Sequence, residues 1–127
     1  MRKTRYYHNN KRVSKGEKTI IDFLLDRSIQ FESEKTFAEC LSPKHNKLRF
    51  DFFIPEKNIL IEFDGTHHIK PTNKYKRAQR GHQQTVIHDQ IKNQYAEDNN
   101  ILLVRIPYKA FKYITFILAI YLLDFDE

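Results

Sequence analysis

Two short apolar segments, "LRFDFFIP" and "NILIEF", constrain the fold most, because they place acidic residues where charge is costly. They are separated by "PEKN" and read as the two strands of a hairpin. If the turn is the four residues from Pro55 to Asn58, Ile54 pairs with Ile59, and paired residue numbers sum to 113. Asp51 then lies opposite Glu62. The alternation of side chains predicts one face with Arg49, Asp51, Glu62 and Asp64, and an opposite face with Phe50, Phe52, Ile61 and Phe63.

Two carboxylates placed directly opposite each other repel, so the pair Asp51 and Glu62 needs an explanation. A shared proton is one, and a divalent cation is a better one, since carboxylate oxygens suit Mg²⁺ or Mn²⁺. Arg49 opposite Asp64 is instead a candidate cross-strand ion pair. Two alternatives stay open: a shifted register would remove the pairing, and the acids could simply face water.

The remaining segments predict a single α/β domain over residues 14–127. Ser14 with Glu17 three residues later is a capping-box pattern that starts a helix. The predicted elements are a helix over 15–27, a strand over 29–37, the hairpin, a polar loop over 66–83, a helix over 85–98, a strand over 101–107 and a helix over 108–123. The strand–helix–strand order predicts a right-handed crossover to a parallel neighbour. We therefore expect a mixed sheet with helices on both faces, and "ILLVRIP" as a central strand.

The charge of the chain favours an anionic partner, nucleic acid first, because the net charge is +6 and the pI is about 9.4. Residues 1–13 form a basic N-terminal arm in this interpretation, either gripping phosphates or merely solvated. The loop over 66–83 adds five positive charges without an acid, so we expect DNA contact there, with a solvated loop as the alternative. The candidate DNA-binding residues are Arg2, Lys3, Arg5, Lys70, Lys74, Lys76, Arg77 and Arg80.

Two features bear on compartment and assembly. Cys40 is the only cysteine, so no intrachain disulfide is possible, which is typical of a reducing compartment. The longest apolar run, Tyr113 to Leu123, is too short to span a bilayer. It predicts a helix that is buried against its own sheet or in a homodimer. We expect a cytoplasmic protein without a membrane partner, in a prokaryotic cell or a virus-infected host.

The segments "SKGEKTI", "RFDFFIP", "LIEFDGTHH" and "DQIKNQYAEDNNILLVRIPY" together resemble the PD-(D/E)XK nucleases. The branch they resemble most contains the very-short-patch mismatch-repair endonucleases and small phage or intron-associated endonucleases. The resemblance covers about residues 14–113. It implies a restriction-endonuclease-like αβββαβ core with an extra C-terminal helix, and the activity of a Mg²⁺-dependent deoxyribonuclease.

The resemblance also implies roles for individual residues. Asp51 matches the principal metal ligand, Glu62 the acid of the next strand and Glu17 the acid of the first helix, so these three would hold Mg²⁺ or Mn²⁺. His68 and Asp89 match the histidine and the last acid of the mismatch-repair branch. Position 64 departs from the family, since Asp64 stands where the standard motif has lysine.

The metal would polarise the phosphate and lower the pKa of its water. His68 suits proton transfer, and Asp89 could fix its tautomer. Alternatives remain for each: His68 as a surface residue, Asp64 as a third ligand or the partner of Arg49, and Lys92 as a replacement for the missing lysine or the helix partner of Asp89. Alternative functions are a nucleic-acid-binding module with a decayed site, and a Holliday-junction-type resolvase.

Overall fold

The computed structural model describes residues 4–64 and 76–124, except the side chains of residues 76–80. Two short strands come first, followed by an αβββαβ core and a C-terminal helix. The elements are β1 (Tyr6–His8), β2 (Lys11–Val13), α1 (Lys15–Asp26), β3 (Glu32–Leu41), β4 (Lys47–Ile54), β5 (Ile59–Asp64), α2 (Lys76–Asp98), β6 (Leu102–Pro107), a 3₁₀ helix (Tyr108–Tyr113) and α3 (Ile114–Leu122).

The main sheet has the order β3-β4-β5-β6, antiparallel except for the parallel pair of β5 and β6. Its two faces carry separate cores. On one face, Ile20 of α1 and Leu118 of α3 pack with Ile61; on the other, Ala96 of α2 packs with Phe50 and Leu60. The prediction of an α/β fold with a mixed sheet, helices on both faces and a C-terminal helix is confirmed.

Two predictions about the second half of the sheet are wrong. The strand β6 is an edge strand among the described strands, not a central one. Helix α2 begins at Lys76, within the segment predicted as loop. Residues 76–84 contain no proline and one glycine, and they are rich in arginine, glutamine and other good helix formers, so the helix extends through them.

The segment predicted as a basic arm instead forms a hairpin from Tyr6 to Val13. Asn9 and Asn10 form its turn with φ of 50° and 64°, the left-handed backbone that a two-residue type I′ turn requires. The ring centroids of His8 and Phe31 lie 5.9 Å apart, and Val13 packs against the core. The hairpin is therefore docked on the domain directly before α1.

The predicted register of β4 and β5 is confirmed. Ile54 pairs with Ile59 and Phe52 with Ile61, so paired numbers sum to 113. Beyond Phe52 and Ile61 the two strands continue, but each pairs only with its outer neighbour, β3 or β6. The sheet therefore forks at the next two positions, which are Asp51 and Glu62.

The predicted division of the hairpin into two faces is wrong at Phe50. Phe50 packs in the core under α2, whereas Phe52 packs in the core under α1 and α3. The alternation breaks at Asp51, the position between them. On the neighbouring strand Glu34 has φ of 52° and falls in the gap between the pairs Ser33–Phe52 and Lys35–Phe50. The pairs on either side keep the same register, so the break in alternation coincides with this left-handed residue and with the fork.

Helix α3 is apolar on all sides but buried on one. Ile114, Leu118 and Leu122 are buried, while Phe116 is 67% exposed and Ile120 54% exposed. One side of α3 therefore packs in the core of its own chain, as one of the two alternatives predicted. The opposite side of α3 faces solvent in the single chain. No helix among the described residues combines the length and apolarity needed to cross a membrane.

Candidate active site

Asp51 lies at the fork of the sheet, half-buried between β4 and β5. Its Oδ2 accepts a hydrogen bond of 2.8 Å from the backbone N–H of Phe63. Because strand pairing between β4 and β5 has ended at this level, the carboxylate satisfies a main-chain donor of β5. The same contact fixes the orientation of the aspartate.

Burial, together with the negative charges of Glu62 and Glu17, raises the pKa of Asp51 to about 7, although the hydrogen bond from Phe63 and the charge of Lys92 oppose this rise. Three carboxylates from three elements thus lie within electrostatic reach of each other. These are the three residues predicted as metal ligands, and the structure brings them into one neighbourhood.

Glu62 is buried and has a cationic partner. The ammonium of Lys92 on α2 lies against its carboxylate, and both side chains are less than 10% exposed. Lys92 also lies 4.9 Å from the centroid of the Phe50 ring. Burial raises the pKa of Glu62, while Lys92 and Arg105 lower it. Lys92 therefore points into the interior beside Glu62.

Arg105 of β6 forms ion pairs with two acids, Asp64 of β5 and Asp89 of α2. Its Nη1 lies 3.3 Å from Asp64 and 3.5 Å from Asp89. The predicted ion pair between Arg49 and Asp64 is wrong, since Arg49 pairs with Glu34 at 3.4 Å. The physical reason is the parallel register of β5 and β6, which sets Arg105 beside Glu62 and two residues from Asp64.

Glu17 stands in the first turn of α1 and forms the predicted capping box. Its backbone N–H donates to Ser14 Oγ at 3.1 Å, and its Oε1 accepts from the Ser14 backbone N–H at 3.2 Å. The helix start is fixed from the other side by Gly16, which packs against the Phe63 ring. The cap and the glycine together place Glu17 near Asp51.

A cavity of about 310 Å³ lies between the β1–β2 hairpin and the sheet. Its lining includes acidic side chains (Glu17, Glu34 and Asp51) and basic or imidazole side chains (His8, Lys11 and Arg12). A second cavity of about 560 Å³ is lined by Glu62, Asp89 and Lys92. Asp51 and Glu62 therefore influence each other electrostatically but open on different cavities.

Three carboxylates without sulfur suit Mg²⁺ or Mn²⁺, and the repulsion that raises the pKa of Asp51 is what a cation relieves. Within residues 4–64 and 76–124, however, no three acidic, histidine or cysteine side chains are grouped closely enough to bind an ion. Asp51 and Glu17 fit the role best, because Glu62 already has Lys92 as its counterion.

Several predicted residues lie outside the described part of the chain: Arg2, Lys3, His68, Lys70 and Lys74. Lys76, Arg77 and Arg80 lie in the first turns of α2, and their side chains are also outside it. Arg5 is exposed directly before β1.

We did not predict three residues that the structure places around the carboxylates: Lys11, Glu34 and Arg105. Arg105 had a signal, since it is the single charge in an apolar strand. Lys11 belongs to the segment predicted as an N-terminal arm, and the asparagine pair that makes its turn is the local signal for a hairpin. Nothing in the local sequence marks Glu34 as a residue with a left-handed backbone.

No family model, curated protein or solved structure matches this chain. The resemblance to the PD-(D/E)XK nucleases therefore stays a prediction from the sequence motifs.

Proposed function

We propose that this protein is a metal-dependent DNA endonuclease that hydrolyses phosphodiester bonds. The observation that carries the proposal is the pKa of Asp51, raised to about 7 at a fork of the sheet by burial and by two more carboxylates, Glu62 and Glu17. Mutual repulsion of acids costs stability, and strongly perturbed groups in a cleft favour a functional site over a structural one.

In this proposal Asp51 and Glu17 hold Mg²⁺ or Mn²⁺, with Glu62 as the third carboxylate. When bound, the metal supplies Lewis-acid polarisation of a phosphate and a water of lowered pKa. The chain's own groups have distinct tasks. Phe63 orients Asp51, Lys92 is the counterion of Glu62 in the interior, and Arg105 holds Asp64 and Asp89. His68 is proposed to transfer the proton.

The substrate is proposed to be DNA because the chain carries a net charge of +6. Arg2, Lys3, Arg5, Lys70, Lys74, Lys76, Arg77 and Arg80 are the proposed backbone contacts. We also propose a cytoplasmic location, in a prokaryotic cell or a virus-infected host, from the single cysteine. A homodimer is proposed through the exposed side of α3, and sedimentation at increasing protein concentration tests it.

The test is cleavage of supercoiled plasmid with Mg²⁺ or Mn²⁺. We expect nicked or linear product from the wild type and none from Asp51→Asn, which keeps the hydrogen bond from Phe63. Glu97→Gln is the matched control, since Glu97 is an exposed acid near the far end of α2. Absence of any cleaved product with either metal, or equal cleavage by Asp51→Asn, would contradict the proposal. Branched and mismatched competitor DNA distinguishes a resolvase from a general endonuclease.

A second candidate is a nucleic-acid-binding module with a decayed site. It is favoured by Asp64 in place of the standard lysine and by the ion pair of Glu62 with Lys92. If this second candidate is right, the protein will bind DNA but will cleave none of the DNA forms tested.

A further inference from the structure

Glu34 bridges two cations: Lys11, which like Glu34 lines the cavity that contains Asp51, and Arg49, which lines the cavity that contains Glu62. Its Oε1 contacts Lys11 of the β1–β2 hairpin and lies 3.4 Å from Nη1 of Arg49 on β4. The two cations come from different elements and converge on one carboxylate oxygen. Such a pair of converging donors is also what a phosphate oxygen would require.

The backbone at Glu34 is in a conformation that a non-glycine residue in a strand rarely adopts. Its φ is 52°, and it lies in the gap of the β3–β4 register at Asp51. Left-handed residues of this kind are held in place by their surroundings and are common at ligand sites. The irregularity directs the carboxylate of Glu34 toward Lys11 and Arg49.

All three partners are accessible to a competing anion. The side chains of Lys11, Glu34 and Arg49 are 55%, 45% and 65% exposed. Ion pairs this exposed contribute little to stability, so an incoming anion with more charge can replace the carboxylate without disrupting the fold. Glu17 and Asp51 line the same cavity as Lys11 and Glu34, so the carboxylate of Glu34 shares a cavity with the proposed catalytic residues.

We propose that Lys11 and Arg49 form a binding site for a DNA backbone phosphate, and that Glu34 occupies this site in the free protein. Bound DNA displaces the carboxylate, and the hairpin then holds the strand beside Asp51. The inference depends on the proposed function for its substrate class, DNA, but not on catalysis.

The experiment measures equilibrium binding of a short DNA duplex in EDTA over a range of salt concentrations. EDTA removes the metal and prevents cleavage, so this experiment measures binding alone. Its result can therefore be interpreted even if the protein proves not to be an endonuclease. The plot of log K against log salt concentration has a negative slope, and each lost phosphate contact reduces the magnitude of this slope by about 0.9. We expect this decrease, with weaker binding, for Lys11→Gln and for Arg49→Gln. Lys11→Arg and Arg49→Lys should retain the slope, and thermal unfolding checks that every variant is folded.

The decisive comparison is Glu34→Gln with Glu32→Gln. Both remove one negative charge from β3, but Glu32 pairs with Lys35 at 3.3 Å instead. We expect Glu34→Gln to bind DNA more tightly, on the order of threefold to tenfold, with a much smaller effect of Glu32→Gln. Equal effects of the two substitutions, or unchanged binding by Lys11→Gln and Arg49→Gln, would overturn the inference.

Discussion

Lys92 of α2 and Glu62 of β5 form an ion pair in which both side chains are buried, with exposed fractions of 9% and 7%. Removing one partner of such a pair leaves a charge in the interior without compensation. We expect Lys92→Met to lower the free energy of unfolding by about 3–5 kcal/mol near pH 8, measured by urea titration.

The double variant Lys92→Met with Glu62→Gln should recover much of this loss, because no buried charge remains. Lys35→Met is the matched control, since it removes a lysine from a more exposed ion pair with Glu32 and should cost less than about 1 kcal/mol. A cost of Lys92→Met as small as that of Lys35→Met would contradict the buried-pair interpretation.

The raised pKa of Asp51 predicts a pH-dependent gain in stability for Asp51→Asn. In the folded protein this carboxyl loses its proton near pH 7, while in the unfolded chain it does so near its ordinary value of 3.8. Its contribution to stability is therefore greatest below pH 4 and is lost as the pH rises toward 7. Asparagine stays neutral, so the variant should gain about 2–4 kcal/mol over the wild type at pH 8 and close to nothing at pH 4.

Thermal and urea unfolding at both pH values measure this difference. A constant offset between Asp51→Asn and the wild type at pH 4 and pH 8 would mean that Asp51 has an ordinary pKa.

Binding of Mn²⁺ at the fork should offset the free-energy cost of keeping the carboxylate of Asp51 ionised beside Glu62 and Glu17. A cation at the carboxylates should stabilise the wild type at pH 8, by about 2.7 kcal/mol when the metal is at a hundred times its Kd. The rise in Tm should be absent in Asp51→Asn and reduced in Glu17→Gln. Because glutamine still supports a capping box, Glu17→Gln removes the carboxylate without removing the helix cap. Glu97→Gln should respond like the wild type. A rise of equal size in Asp51→Asn would place the bound metal elsewhere.

The contact of Gly16 with Phe63 predicts opposite effects of alanine at two helical glycines. A Cβ at Gly16 would lie 2.3 Å from carbons of the Phe63 ring, whereas a Cβ at Gly81 would have nothing within 4 Å. Gly16→Ala should therefore destabilise the protein by about 1–3 kcal/mol. Gly81→Ala should stabilise it by up to about 1 kcal/mol, because alanine is the better helix former. Urea titration of both variants checks this, and a neutral Gly16→Ala would show that the ring moves freely.

The sequence was sufficient for the parts of the fold that depend on local rules. The turn from Pro55 to Asn58 determines the register of β4 and β5, and Ser14 with Glu17 determines the start of α1. Asp51 and Glu62 were therefore placed at neighbouring positions correctly. That they repel is reflected in the raised pKa of Asp51; that a cation joins them stays a prediction.

What could not be predicted depends on contacts between distant segments. Arg105 reaches Asp64 because β6 lies parallel to β5, and Lys92 reaches Glu62 because α2 crosses that face of the sheet. The break in alternation at Asp51 lies beside Glu34 of another strand, whose left-handed backbone no local pattern predicts. Strand alternation alone therefore assigned Phe50 to the wrong face.

The parallel pairing of β5 and β6 has a consequence for the order in which the protein is completed during synthesis. Lys92 and Arg105, which neutralise the acids of β5, leave the ribosome 30 and 43 residues after Glu62. The first half of the chain can form its antiparallel strands early, but Glu62 then lies without either cation. Burial of its charge is therefore delayed until the C-terminal half docks, and a shortened nascent chain ending before α2 should favour a protonated or solvent-exposed Glu62.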